Sequence, residues 1–319
     1  MTEHSDRNPG WERQALERLA GAALLEQRRA RYWSIFFKSV TLLYLFLVLF
    51  FAMGWFGGRD MAASGRHTAL VQVNGVIGPE SRASADQVVA GLQAAFKDGN
   101  TAGVIIRINS PGGSPVQAGQ IYDEIRRLRA LHPDIPVHAV IEDVCASGGY
   151  YVAAAVDRVF VNRASLVGSI GVLMDGFGFA GAINRLGVER RLLTAGDNKG
   201  FLDPFQPLQP RQREHAQSML DQIHAQFIAV VKEGRGDRLK PVPELFSGLV
   251  WTGEKSIELG LADALGTVES VARDVIKSEN VVDFTPRENI AERVAKRFGA
   301  AAMESIWALA GGGRPMQLR

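Results

Sequence analysis

The stretch Val137–Ala155, VHAVIEDVCASGGYYVAAA, decides the fold and contains the first candidate for chemistry. Its mostly apolar start predicts a short buried strand, and the residues from Tyr150 onward begin a packed helix. Ser147 therefore lies on a strand-to-helix turn, followed by two glycines that let the backbone approach a ligand closely. A serine there has its hydroxyl at the positive end of a helix, next to free amides that can hold an oxyanion. From this stretch alone, a catalytic nucleophile and a simple helix cap are both open interpretations.

Strand and helix patterns alternate on both sides of this turn. Short apolar runs predict strands at 69–73, 103–108, 158–161, 171–174 and 189–193. Helical spacing of apolar residues predicts helices at 84–96, 115–131, 179–186, 212–232 and 268–277. This alternation predicts an α/β protein with a mostly parallel sheet flanked by helices.

A second strong signal is the segment Ser39–Gly58, which contains no charged residue. Twenty helical residues span about 30 Å, the thickness of a bilayer core. We interpret the segment as a single-pass transmembrane helix, since its position and the sequence after it do not fit a cleaved signal peptide. Basic residues are concentrated before it, including Arg28, Arg29 and Lys38. This bias predicts a cytoplasmic N-terminus, with the chain after the helix on the opposite side of the membrane.

The bulk composition excludes several classes of function. A formal net charge of +2 gives no case for a nucleic-acid partner. Cys145 is the only cysteine, so an intramolecular disulfide is impossible and a thiolate metal site is not expected. The six histidines are scattered and form no metal-ligand spacing, so we predict no metal.

Two other segments also combine serine with glycine next to a predicted strand. Asn109–Ser114 follows a strand and opens a helix, and its two glycines bare amides that could face an anion. A plain turn is the alternative, and a phosphate loop fails because the lysine of that motif is missing. Gly168–Val172 contains Ser169 between glycines, which on its own can simply mark a bend in a strand.

Lys199 is the candidate base. It lies in the loop Gly196–Phe205, where a lone lysine is usually a solvated surface charge. However, no histidine follows Ser147 closely, and His138 precedes it within a strand pattern. A lysine removed from water can take the same role, as in known Ser–Lys pairs.

The ordered set of these motifs resembles the signal peptide peptidase A family, a family of membrane-anchored Ser–Lys proteases, and most closely its short single-domain form. The similarity covers roughly 67–278. Ser256 and Ala262 are small departures from the family pattern, and neither lies at the expected site. The motifs that carry the resemblance are Asn109–Gly113, Ala146–Tyr150, Gly168–Val172, Gly196–Phe205, Gly234–Gly236 and Val250–Gly266.

The resemblance implies a ClpP/crotonase-like fold and a role for each matched residue. Ser147 would be the nucleophile, Lys199 the general base, and Gly113 and Gly148 the oxyanion hole, while Ser169 would orient the lysine. It further implies a homo-oligomer at the cell inner (plasma) membrane, with its catalytic domain in the periplasm. Its substrates would be remnant signal peptides and other unfolded or hydrophobic peptides. Ser–Lys hydrolysis requires no cofactor.

The predicted organisation has five parts. They are a cytoplasmic segment (1–38), the transmembrane helix (39–58), a linker (59–66), the Ser–Lys protease domain (67–280) and a C-terminal helical extension (281–319). Two other functions stay open at this point. One is a crotonase-type acyl-CoA enzyme, and the other is a catalytically inactive membrane scaffold or partner of stomatin-like proteins.

Overall fold

The computed structural model describes residues 10–52, 65–240 and 242–286. The first element in these ranges is helix α1 (Trp11–Ala52). By length and composition, its stretch Leu25–Val48 is long and apolar enough to cross a membrane, and every side chain in that stretch is exposed. The predicted span Ser39–Gly58 overlaps this stretch at 39–48, whereas 53–58 lie outside the described residues. The chain divides into two units, and α1 lies outside the unit Ala62–Pro286.

The unit Ala62–Pro286 is built around one eight-stranded sheet. Its strands are β1 (His67–Asn74), β2 (Thr101–Ser110), β3 (Val137–Ala146), β4 (Arg158–Val161), β5 (Leu166–Gly168), β6 (Val250–Thr252), β7 (Ala264–Leu265) and β8 (Val281–Asp283). Six of them lie side by side in the order β6-β5-β3-β2-β1-β8, while β4 pairs with β3 and β7 with β4. All paired strands run parallel except β5 and β6.

Helices connect the strands and begin where the sequence provides caps. They are α2 (Ala85–Lys97), α3 (Pro115–Leu131), α4 (Gly148–Ala153), α5 (Ala180–Arg185), α6 (Pro210–Arg235), α7 (Gly253–Glu258) and α8 (Val268–Ser270), which continues as a π-helical turn over Val271–Ile276. The hydroxyls of Ser84 and Ser114 accept hydrogen bonds from the first turns of α2 and α3. A proline at the start of α3 and of α6 fits a helix N-terminus, where no backbone donor is needed.

Both faces of the central strands are buried. Val71 and Ile106 belong to the larger core on the side of α2 and α3, whereas Leu70 and Ile105 pack with Val271 on the opposite face. Burial on both faces is typical of parallel sheets covered by helices, and it explains the continuous apolar runs of β1 and β2. The predicted α/β class is confirmed.

Three predicted elements differ from the structure. The segments 171–174 and 189–193 form no strands, so the strand prediction is wrong for both. Val281–Asp283 pairs with β1, so the sheet continues past residue 280, where we predicted the protease domain to end. A strand of three residues is too short to show a recognisable pattern. The rest of the predicted C-terminal helical extension, from 287 to 319, lies outside the described residues.

Candidate active site

Ser147 occupies the turn between β3 and α4, as its sequence context predicts. Its φ of 51° and ψ of −123° lie in a region that non-glycine residues rarely adopt, and such strain concentrates at functional sites. The Ser147 N–H donates to the Gly168 carbonyl (2.8 Å), and the Ser147 carbonyl accepts from the Tyr151 N–H (3.0 Å). Its side chain makes no capping hydrogen bond to α4, so the helix-cap interpretation is wrong. The hydroxyl is therefore not engaged in capping α4.

The loop after β2 places a second backbone segment against Ser147. Gly112 has a φ of 100°, and a Cβ atom there would lie 2.7 Å from both Ser147 Cβ and Gly148 N. Only glycine permits this approach. The loop is fixed by Ile77, whose N–H donates to the Gly112 carbonyl (2.8 Å) and which forms a β-bridge with Gly113.

The amides of Gly113 and Gly148 lie close together beside the serine. A Cβ atom on Gly148 would lie 3.3 Å from Gly113 N. Neither of the two N–H groups donates a hydrogen bond within the described part of the chain. Unpartnered N–H groups next to a serine hydroxyl are the donors that an oxyanion hole requires. The structure thus brings three of the predicted site residues together.

A cavity of about 570 Å³ opens beside these groups. Ser147, Gly113, Gly148 and Ser169 all line it. Its remaining wall is mostly apolar and includes Ala118, Tyr151, Val172, Leu173, Ile223 and Phe227. An apolar wall beside a serine and two amides can hold an apolar side chain next to a reacting carbonyl group.

Ser169 is the second strained serine of the site. Its φ is 50°, its N–H donates to the Leu249 carbonyl (2.7 Å), and its carbonyl accepts from the Gly171 N–H (2.9 Å). The residue lines the same cavity as Ser147. Its predicted role in orienting Lys199 stays a prediction.

Lys199 does not reach this cavity in the single chain. Its side chain is exposed in a turn, with its backbone N–H donating to the Gly196 carbonyl (3.1 Å), and it is not among the lining residues. The structure therefore assembles Ser147, Gly113, Gly148 and Ser169 without the lysine. The role of Lys199 as general base stays a prediction.

Sequence reasoning missed the residues that complete the wall. Tyr151 could have been found, because it lies one helical turn after Ser147 and so on the same face of α4. Phe227 on α6 packs against the Tyr151 ring with centroids 5.1 Å apart and the ring planes tilted by 40°. The loop residues Ser247 and Gly248 also line the cavity. These three lie far along the chain, and no local pattern marks them.

Helix α4 is anchored from behind the site. The buried Tyr150 hydroxyl donates to the Leu261 carbonyl (2.7 Å). Arg235, also buried, donates to the Gly260 carbonyl (2.8 Å) and forms two hydrogen bonds with Asp263 (2.8 and 3.0 Å). The C-terminal part of the unit therefore holds the helix that begins directly after Ser147.

The carboxylate of Asp263, which pairs with Arg235 behind α4, is stabilised by hydrogen bonds. Burial alone would raise the pKa of Asp263, but hydrogen bonds from the Arg235 side chain and the Val159 N–H outweigh it and lower that pKa. Burial also raises the pKa of the Tyr150 phenol and of the Cys145 thiol. Cys145 is consequently a neutral thiol and no competing nucleophile. In the described ranges, no group of three or more His, Cys, Asp or Glu could hold a metal ion.

Comparison with known proteins points to one family. The model described as Peptidase family S49 matches residues 129–282, a range that includes Ser147, Gly148, Ser169 and Lys199. A protein of Enterococcus faecium that bears the name signal peptide peptidase SppA is 29% identical over 234 residues, or 71% of this chain and 67% of that protein. A protein of Methanocaldococcus jannaschii named as a protease is 30% identical over 216 residues, or 66% and 68%.

A further relative is much longer. A protein of Brucella melitensis named Na(+)/H(+) antiporter NhaA is 48% identical over 182 residues, which is 57% of this chain but only 25% of that protein. The chain therefore spans about a quarter of this relative. The parallel sheet with helices on both faces and the apolar N-terminal helix agree with the predicted ClpP-like fold. Fold and comparisons together place the chain in peptidase family S49.

Proposed function

We propose that this protein is a serine endopeptidase and that Ser147 is its nucleophile. The observation that carries the proposal is the strained Ser147 turn, beside which the N–H groups of Gly113 and Gly148 donate no hydrogen bond to any residue that the structure describes. A serine hydroxyl next to two oxyanion donors is the arrangement required for acyl transfer. The protease names of the Enterococcus and Methanocaldococcus relatives support the same chemistry.

Hydrolysis proceeds in two steps. Ser147 Oγ attacks the peptide carbonyl carbon while its proton passes to the neutral amine of Lys199. The carbonyl oxygen becomes an oxyanion held by the N–H groups of Gly113 and Gly148, each worth roughly 3 kcal/mol. The C–N bond then breaks, Lys199 returns the proton to the leaving amine, and an ester on Ser147 remains. A water molecule that Lys199 deprotonates attacks this ester, releases the acid product and restores the hydroxyl.

Lys199 comes from a neighbouring copy of the chain in this proposal. The segment that carries it is poorly packed in the single chain, where Leu173, Phe177 and Leu193 are 79%, 82% and 97% exposed. Apolar side chains as exposed as these mark an interaction surface. Contact with a second copy would bury them and remove Lys199 from water, which favours the neutral amine that a base requires.

The substrates are unfolded or hydrophobic peptides, with remnant signal peptides as the principal class. The cavity beside Ser147 has an apolar wall that includes Tyr151, Ile223 and Phe227, which suits an apolar side chain next to the cleaved bond. Only an extended, unfolded segment can present a backbone carbonyl to a serine in such a cleft. The name of the Enterococcus relative supports signal peptides in particular.

Helix α1 anchors the enzyme where such peptides are released. Its apolar stretch Leu25–Val48 is long enough to cross a membrane. Arg28, Arg29 and Arg31 lie before the uncharged part of this helix, which begins at Ser39, and they are exposed. The positive-inside rule then gives a cytoplasmic N-terminus and a catalytic unit on the periplasmic side.

Cleavage by the full-length chain in detergent micelles tests the proposal. An unfolded protein and a signal-peptide-like peptide are offered to wild type, Ser147→Ala, Lys199→Ala and Lys97→Ala, the last an exposed lysine at the end of α2. We expect only wild type and Lys97→Ala to cleave. Full activity of Lys199→Ala would exclude it as the base, and an inactive wild type would favour the scaffold function.

Coexpression of two inactive variants tests where the lysine comes from. A mixed oligomer of Ser147→Ala and Lys199→Ala chains contains some sites in which an intact serine meets an intact lysine of a neighbour. We therefore expect partial recovery of cleavage. If both residues had to come from one chain, every mixed site would lack one of them and no activity would return.

A further inference from the structure

The side chain of His224 on α6 contacts the backbone of Ile170, the residue that follows the strained Ser169. Its ring Nε2 lies 3.1 Å from the carbonyl oxygen of Ile170. A carbonyl oxygen only accepts hydrogen bonds, so Nε2 must carry the hydrogen. His224 is partly buried and follows directly after Ile223, which lines the cavity.

The Ile170 carbonyl belongs to a segment that needs external support. Ser169 has a φ of 50° and accepts a hydrogen bond from Gly171, only two residues ahead, which makes a tight and strained turn. On the sheet side the Ser169 N–H is held by the Leu249 carbonyl (2.7 Å). Across the ranges that the structure describes, His224 is the only side chain that donates to the backbone of 168–172.

The same segment supports the nucleophile. The Gly168 carbonyl accepts the Ser147 N–H (2.8 Å), so a displacement of this segment moves the strained Ser147 turn as well as Ser169. We propose that His224 is a positioning residue, which fixes the Ile170 carbonyl so that the turn at 168–171 keeps both serines in place. This inference rests on the proposed peptidase function.

Removing the donor has a definite local consequence. Ile170 is fully buried, so its carbonyl would be left without a partner or would have to move toward water. A strained turn persists only while its surroundings hold it, and the lost hydrogen bond would release it. The expected results are faster amide exchange in 168–172 and a slower chemical step, with substrate binding at the apolar wall largely kept.

Three variants of the full-length chain in detergent micelles test the inference. His224→Leu removes the donor, and His224→Gln places an amide N–H near the position of Nε2. Gln222→Leu is the matched control, because Gln222 is exposed on the same helix and its side chain donates a hydrogen bond to the exposed Ser218 hydroxyl (3.3 Å). Amide exchange by mass spectrometry reports on the turn without any activity, and kcat and KM for a signal-peptide-like peptide report on chemistry.

We expect His224→Leu to increase exchange at 168–172 and to lower kcat about tenfold at nearly constant KM. His224→Gln should restore most of both, and Gln222→Leu should change neither. Unchanged amide exchange in His224→Leu would overturn the inference, whether or not the wild type is active. An inactive wild type would by itself overturn only the proposed function. Increased exchange with wild-type kcat, or equal losses in the Leu and Gln variants, would also overturn it.

Discussion

Replacing Gly148 with alanine should separate stability from catalysis in this protein. Gly148 is the first residue of α4 and does not have a positive φ, so an alanine can adopt its backbone conformation. Alanine is favoured over glycine in helices by up to about 1 kcal/mol. The new methyl group would lie 3.3 Å from Gly113 N and 3.4 Å from Ala118 Cβ, so these neighbours must move by a few tenths of an ångström. The fold should tolerate this shift.

The proposed oxyanion hole should not tolerate this shift. Its donors must lie roughly 2.7–3.1 Å from the oxyanion, and losing one donor costs about 10²–10³ in kcat. A methyl group against Gly113 N both displaces that amide and occupies space beside it. We therefore expect kcat to fall about 100-fold, equivalent to about 2.7 kcal/mol of transition-state stabilisation, with little change in KM.

Steady-state cleavage of a signal-peptide-like peptide, measured together with thermal unfolding, provides the assay. Gly119→Ala on α3 is the control, since a Cβ atom there meets nothing within 4 Å. It should match or exceed wild-type stability and keep wild-type kcat. If Gly148→Ala is folded and keeps wild-type kcat, the Gly113 amide is not an oxyanion donor and the reasoning is refuted.

Three further predictions concern the buried contacts of Tyr150, Arg235 and Asp263 that hold α4 in place. Arg235→Met should lower the free energy of unfolding in denaturant titrations by about 3–5 kcal/mol, because the mostly buried Asp263 loses its bidentate partner. Tyr150→Phe should lower it by about 1–3 kcal/mol, because the buried Leu261 carbonyl loses its donor, and an unchanged value would contradict this role. Folding lowers the pKa of Asp263, so the ionised carboxylate stabilises the folded protein. This contribution is fully present above the pKa of the unfolded chain, about 3.9, and it is lost as the pH falls through the lower pKa of the folded state. Asp263→Asn should flatten the pH dependence of unfolding in that range.

Local features of the site were predictable because adjacent residues encode them. The turn at Ser147 follows from an apolar strand, two glycines and a helix start within one stretch, and α3 has the predicted bounds. The contributions of α6 and of the loop at Ser247 were not predictable, since only the packed fold brings them to the cavity.

The strand predictions for 171–174 and 189–193 were wrong for a different reason. Their apolar residues resemble those of a buried strand, yet Leu173 and Leu193 are largely exposed in the single chain. An apolar pattern predicts that a surface will be buried, but it does not specify whether the covering surface belongs to the same molecule. Both segments belong to the exposed region that we propose to pack against a second copy.

The order of the strands explains why three separate motifs meet and why the fourth does not. Gly113, Ser147 and Ser169 each follow the carboxyl end of a strand, namely β2, β3 and β5, and these strands are direct neighbours in the sheet. Because neighbouring parallel strands end at the same edge, the three turns must lie side by side, as they do at ligand sites of other open parallel sheets. Lys199 follows no strand of this sheet, so nothing in the topology directs it to that edge. The proposed role of Lys199 as the base therefore requires a contact that the sheet does not provide. A neighbouring copy could supply that contact by packing against the exposed apolar side chains around this residue.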